Sequence, residues 1–206
     1  MKVKICGLKE KEHVIAAVNA GADFIGFVFA KSSRQITAAR AKELISLLPP
    51  HVKSVGVFVN PGKEELLSLL EETKLDYVQL HGDESVEFCE EVPVPVIKAL
   101  PIRSVEDINR AANFPVYYHL IDAPGTDYHG GSGRRFDWSL VEESQLDHSK
   151  VFLAGGLHAG NVKEAIKRVQ PFAVDVSSGV ETDGKKDINK IKLFIEQAKM
   201  TGSDQS

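Results

Sequence analysis

A thiol, a carboxyl group and a guanidinium in this chain each stand where a short apolar run gives way to a turn. Cys6 ends the run Val3–Cys6 and is followed by Gly7. Asp122 ends His119–Asp122 and is followed by Ala123, Pro124 and Gly125. Arg34 lies in the loop Lys31–Gln35, just after the run Phe24–Phe29. In α/β proteins the carboxyl ends of strands carry the chemistry. A thiol there can serve as base or nucleophile. A carboxyl among apolar neighbours is a candidate acid, since burial disfavours its charged form. A guanidinium can clamp a substrate carboxylate with two hydrogen bonds. Plainer readings exist for each: a small hydrophobe capping the core at Cys6, a capping or turn carboxylate at Asp122, a solvated loop cation at Arg34. His81, in Gln79–Asp83, ends a further run and could touch ligand or orient another group. His119 lies three positions before Asp122, so strand alternation sends it to the opposite face, toward helices.

Glycine clusters supply a second kind of chemistry. Gly155-Gly156 follow the run Val151–Ala154, and Ser178-Gly179 follow Ala173–Ser177, with a short helical turn expected near Val180–Thr182. Glycine exposes backbone N–H groups that can hold an anion without lysine or arginine. Close packing of strand on helix is the alternative for Gly155-Gly156, but two clusters in adjacent units favour phosphate. A third cluster, Gly130–Gly133, including Gly131, sits in the long loop after the sixth run, as a lid or as a mobile segment. Lys4 shares the parity of Cys6 and should point the same way, and a buried lysine needs a partner. Asp175 is the candidate, and a Lys4–Asp175 pair beneath Cys6 would favour the thiolate. No metal site is expected, because His81 and Asp122 alone make a poor divalent site.

The elements that must position these groups alternate eight times. Short, near-continuously apolar runs begin at Val3, Phe24, Ser54, Tyr77, Val96, Tyr117, Val151 and Ala173. Amphipathic helical stretches lie between them, among them Ala38–Leu48 and Val162–Val169. Runs apolar on successive residues suit parallel strands covered on both faces. Eight units favour a single-domain α/β (β/α)8 barrel with short loops over an open sheet of five or six strands. The barrel should span residues 1–200, with a frayed polar tail at 201–206. With 43% hydrophobic residues the 206-residue chain can bury one core. A net charge of −4 and no basic run argue against a nucleic-acid partner. Two cysteines fit a reducing compartment, and the charged opening residues rule out a signal peptide or membrane span there. The expectation is a cytoplasmic protein.

Together these residues resemble the phosphoribosylanthranilate isomerase family of tryptophan biosynthesis. The similar segments run in order along the chain: Val3–Gly7, Gly26–Phe29, Ser32–Arg34, Val55–Asn60, Val78–Gly82, Leu120–Asp122, Gly130–Gly133, Phe136–Trp138, Gly155–Leu157 and Phe172–Gly179. The resemblance implies an aldose–ketose isomerase that performs an Amadori rearrangement of a small phosphoribosyl substrate without cofactor or metal. It implies Cys6 as general base, Asp122 as general acid and Arg34 on the anthranilate carboxylate. Gly155, Gly156, Ser178 and Gly179 would form the phosphate cradle, with Gly131 near it. A homodimer is compatible with the sequence, which does not set the oligomeric state. Three rivals are a Schiff-base aldolase built on Lys98, a metal-dependent epimerase and a non-catalytic phosphosugar-binding barrel.

Overall fold

The computed structural model of the chain describes residues 1–122, 138–142, 144 and 146–200. Eight parallel strands close into a ring: β1 (Lys2–Cys6), β2 (Phe24–Val28), β3 (Lys53–Phe58), β4 (Tyr77–Leu80), β5 (Val96–Pro101), β6 (Tyr118–Asp122), β7 (Val151–Ala154) and β8 (Ala173–Val176). Closure rests on β8 pairing with β1 in the register Lys2↔Ala173 through Ile5↔Val176. The helices are α1 (Lys11–Ala20), α2 (Ala38–Ile45), α3 (Lys63–Thr73), α4 (Val86–Glu90), α5 (Val105–Ala111), α6 (Ser139–Glu142), α7 (Val162–Val169) and α8 (Ile188–Met200). The (β/α)8 barrel expected from the apolar runs is what the chain builds. No helix among the described residues is long and apolar enough to cross a membrane.

Local chemistry sets the helix ends. The Thr37 hydroxyl accepts from the Arg40 N–H at the start of α2, and Ser104 and Asp107 form a reciprocal capping box on α5. Gly21 closes α1 in the left-handed conformation, at φ 97°. The helix expected over Ala38–Leu48 ends sooner, at Ile45. Its last turn tightens, the Leu47 and Leu48 N–H groups reaching back three residues to Leu44 and Ile45. Pro49 and Pro50 follow and cannot continue the ladder.

Alternation splits the core in two. Outward residues such as Ile5, Ile25, Leu80 and Ile121 pack against the helices. Inward residues Phe24, Val55, Ile97, Leu120 and Phe152 fill the barrel. At the amino-terminal end Phe24 meets Phe152 edge-on at 5.1 Å, and Tyr118 stacks on Phe172 at 4.7 Å. Such ring contacts form a plug. The opposite end is left for polar side chains.

Lys98 is the charged residue on the outer face of this wall. It lies between the inward-facing Ile97 and Ala99, and its Nζ donates to Glu84 Oε2 at 2.9 Å and to the carbonyl of Gly82 at 2.7 Å. Both side chains are 2% exposed. Glu84 also accepts from the backbone N–H groups of Asn60 and Gly82. This pair holds the turn that follows β4, and so fixes where His81 stands. It also removes Lys98 from the barrel mouth, where an imine-forming lysine would have to be.

Burial alone would raise the Glu84 carboxyl, but Lys98 and the Asn60 N–H outweigh it and hold it below the usual range. A depressed carboxyl stabilises the fold at neutral pH. That contribution drains away as pH falls below the ordinary glutamate value of about 4.3 and through the folded one. Lys98→Met strands Glu84 as a buried charge and should cost about 3–5 kcal/mol in urea unfolding at neutral pH. Adding Glu84→Gln should recover part of it, since the neutral amide still accepts from the Asn60 and Gly82 N–H groups. A single variant as stable as the parent would show that the pair does not hold the turn.

Candidate active site

Cys6 is the last residue of β1, faces inward and is 7% exposed. Two glycines make room for it. Gly7 takes the left-handed conformation at φ 80°, which turns the chain so that the Gly7 and Leu8 N–H groups both reach the Gly26 carbonyl. A Cβ on Gly7 would come within 2.7 Å of Arg34 Cδ, and one on Gly26 within 2.8 Å of Cys6 Sγ. The thiol thus sits against the bare backbone of β2 and the arginine stem against that of Gly7.

Beneath the thiol, Lys4 Nζ donates to Asp175 Oδ1 at 2.8 Å. The ammonium is fully buried, and the carboxylate side chain is 10% exposed. The two residues are register partners across the closing seam. Burial opposes the Lys4 charge, but Asp175 and then Cys6 more than compensate, so Lys4 is held above its ordinary value. Lys4 pulls the Cys6 thiol toward the thiolate, in the expected direction, but burial is the larger influence. Burial pushes the Cys6 thiol up, and the opposing pull of Lys4 is partly cancelled by Asp175 and only supplemented by Lys186. The thiol is held above its ordinary value.

Across the mouth, Asp122 ends β6 facing inward, with its side chain 38% exposed. His81 Nε2 lies 3.3 Å from Asp122 Oδ2, while His81 Nδ1 lies 3.1 Å from the side-chain nitrogen of Gln79. His81 thus stands between Gln79 and the candidate acid. His119 faces the helices, its Nε2 beside the Phe114 carbonyl at 3.1 Å. No group of three or more His, Cys, Asp or Glu side chains is arranged to hold a metal ion among the described residues.

Arg34 brings in residues that sequence reasoning missed. Its Nε and Nη2 each donate at 2.7 Å to the two carboxylate oxygens of Glu181, and Lys186 Nζ reaches Glu181 Oε1 at 2.7 Å. Lys186 also donates to the Ser177 carbonyl at 2.8 Å. Glu181 and Lys186 face each other in a small hairpin, β9 (Glu181–Thr182) and β10 (Lys185–Lys186). Between them Asp183 and Gly184 both take positive φ, 50° and 73°. Asp-Gly is the strongest short-range hairpin signal, so the dipeptide was a readable clue. Burial would raise Glu181 and lower Lys186. The two cations outweigh burial at Glu181, which is held low, while at Lys186 burial wins and the amine is held below its ordinary value.

The two glycine clusters meet. Gly155 and Gly156 take φ 83° and 60°, and a Cβ on Gly179 would collide with the Leu157 carbonyl. A single tight turn covers Ser178–Val180, earlier than the expected Val180–Thr182, because Glu181 is drawn into the hairpin. The N–H groups of Gly156, Ser178 and Gly179 have no hydrogen-bond partner among the described residues. Gly131 and the rest of the expected lid lie outside the described residues, as do residues 201–206. A cavity of about 380 Å³ opens on the other side of Arg34, between Lys9–His13 and the hairpin, and neither Cys6 nor Asp122 lines it.

Comparison with known proteins agrees with this geometry. The family model described as PRAI, N-(5'phosphoribosyl)anthranilate (PRA) isomerase, matches residues 3–197. The N-(5'-phosphoribosyl)anthranilate isomerase of Listeria monocytogenes serotype 4a (strain HCC23) is 52% identical over 199 residues, covering 97% of this chain and 98% of that one. The phosphoribosyl anthranilate isomerase from Thermotoga maritima superposes with a TM-score of 0.87 at 43% identity, over 97% of this chain and 99% of that one. Another such isomerase, in complex with reduced 1-(o-carboxyphenylamino)-1-deoxyribulose 5-phosphate, gives 0.85 at 41% identity, over 97% and 99%. With the match running almost from end to end and the relatives built on the same barrel, the chain belongs to the N-(5'-phosphoribosyl)anthranilate isomerase family.

Proposed function

We propose that the chain carries out its family's reaction, the Amadori rearrangement of N-(5-phosphoribosyl)anthranilate to 1-(2-carboxyphenylamino)-1-deoxyribulose 5-phosphate in tryptophan biosynthesis, with Cys6 as base and Asp122 as acid. One observation carries the residue roles. An inward-facing thiol ends β1 and an inward-facing carboxyl ends β6, and the strands between them, β7 and β8, end in the glycine clusters. A phosphate held on the Gly156, Ser178 and Gly179 N–H groups would leave the sugar between acid and base.

The chemistry needs proton movement alone. Asp122, protonated, gives its proton to the ring oxygen as the anomeric C–O bond breaks, leaving an open-chain imine. The imine acidifies the neighbouring C2′–H, and the Cys6 thiolate removes it to give the enolamine, which tautomerises to the ketose. Each positioned proton transfer is worth about 10²- to 10⁴-fold. Arg34, held by Glu181 through Nε and Nη2, keeps its Nη1 donors for the anthranilate carboxylate. The same proposal has a cytoplasmic homodimer. It is supported by a Thermotoga maritima relative described as dimeric. Light scattering on the purified chain, 22.6 kDa as a monomer, would decide it.

Cys6→Ser and Asp122→Asn should each lower kcat by about 10²- to 10⁴-fold in a fluorescence assay of substrate consumption, with KM little changed. Turnover near the parent's in either variant would remove that residue from its role. A parent that binds substrate but never turns it over would instead support a non-catalytic phosphosugar barrel.

Arg34→Ala should act mainly on KM, raising it about tenfold or more, the worth of a hydrogen bond between charged groups. Glu181→Gln should raise it less, by loosening the guanidinium. An unchanged KM in Arg34→Ala would take the arginine out of the site.

The reactive form of Cys6 is the thiolate, and burial raises the thiol. The ascending limb of kcat/KM should therefore still be climbing above the ordinary cysteine value of about 8.5. Alkylation of Cys6 by iodoacetamide should follow the same curve. A kcat/KM already flat at neutral pH would contradict a buried, protonated thiol.

A further inference from the structure

We propose that Gln79 is a positioning residue, whose carboxamide decides which ring nitrogen of His81 carries the proton and so whether Asp122 faces a donor or an acceptor. The proposal rests on Asp122 being the acid. Gln79 lies on β4, shares inward parity with His81 and is 2% exposed. Its nitrogen approaches His81 Nδ1 at 3.1 Å. A carboxamide nitrogen has only hydrogens to offer, so that contact needs a bare lone pair on Nδ1. The neutral ring then carries its hydrogen on Nε2, which lies 3.3 Å from Asp122 Oδ2. Gln79 hydrogen-bonds His81, and the far ring nitrogen of His81 stands within ion-pair distance of the Asp122 carboxylate.

That arrangement suits an ionised Asp122, but the acid step needs a protonated one. A proton on Oδ2 facing a proton on Nε2 puts two hydrogens head to head. Turning the Gln79 carboxamide end for end resolves the clash. Nε2 passes its proton to Asp122 Oδ2 and the part-exposed ring takes one from solvent at Nδ1, so that Gln79 Oε1 accepts from Nδ1–H and the lone pair on Nε2 faces the Asp122 O–H. No ring or backbone has to move. The structure shows why the turn is available. Gln79 Oε1 is buried and has no hydrogen-bond partner among the described residues, so nothing on the oxygen locks the present orientation. A buried acceptor left unpaired is destabilising, and a group that stays there needs a reason. A side chain that donates at one end and accepts at the other can follow the Asp122 proton. A methionine could do neither, and a carboxylate would hold a proton on Nδ1 permanently.

Long-range ¹H–¹⁵N NMR of His81 reads the tautomer directly, in the resting enzyme at mildly alkaline pH. The parent should show a bare Nδ1 and a protonated Nε2, and Gln79→Glu should show a protonated Nδ1. In Gln79→Met the single-tautomer signature should weaken. Both variants should lose about tenfold in kcat with KM within about twofold, the worth of one hydrogen bond at the acid. A purely structural role would lower the unfolding temperature without moving the tautomer. If Gln79→Met does not fold, the size-matched Gln79→Glu still tests the tautomer. A protonated Nδ1 in the parent, or a bare Nδ1 in Gln79→Glu, would overturn the proposal. Neither result depends on turnover, so failure here is distinct from failure of the Asp122 role, which Asp122→Asn kinetics decide alone.

Discussion

Lys4 has no exposure to water, and a fully buried ammonium must be met by a counter-charge. That requirement reaches further than one ion pair. Asp175 meets it from β8, the strand that closes the ring against β1. A one-residue slip at this seam would turn Asp175 out of the barrel and leave Lys4 alone, at a cost of several kcal/mol. The pair therefore makes the closing register expensive to get wrong. It also sets the floor of the site, because Cys6 stands two residues beyond Lys4 on the same face of β1.

The other charges at the mouth obey the same rule. Arg34 and Lys186 share Glu181, His81 faces Asp122, and behind the turn Lys98 is tied to Glu84. A chain with a net charge of −4 has no favourable overall field for an anionic substrate. On the proposed reading, phosphate and carboxylate are recognised through local groups: backbone N–H groups left unpaired among the described residues at one end and one guanidinium at the other. Anchoring Arg34 on Glu181 removes most of the entropy an exposed arginine would lose on binding.

Much of this could be read from residue order. The apolar runs gave the eight strands, since parallel strands covered on both faces have no polar side to show. Parity and ring closure together placed Lys4 opposite Asp175. Parity would also have turned Lys98 outward, because Ile97 and Ala99 beside it are the residues that fill the barrel. Three features were harder to see. Glu181 and Lys186 meet through a hairpin that interrupts the βα repeat, so a pattern search for strand and helix passes over it. The early end of α2 depends on how the chain enters the two prolines. The balance at Cys6 is a contest between burial and three charges from β1, β8 and the hairpin, and its sign follows from their arrangement in space.

The separation of the two reacting groups is the last consequence of these pairings. Cys6 has Lys4 and Lys186 as its electrostatic neighbours, while His81 is committed to Gln79 and Asp122 on the far side of β7 and β8. A cysteine nucleophile of the thiol–imidazole kind needs the histidine at the sulfur. Here the imidazole stands beside Asp122, and the thiol has Lys4 and Lys186 pulling toward the thiolate against burial and Asp175. Such a sulfur is suited to lifting a proton from carbon and returning it. On the proposed roles, acid and base end strands separated by β7 and β8, whose glycine turns would hold the phosphate between them.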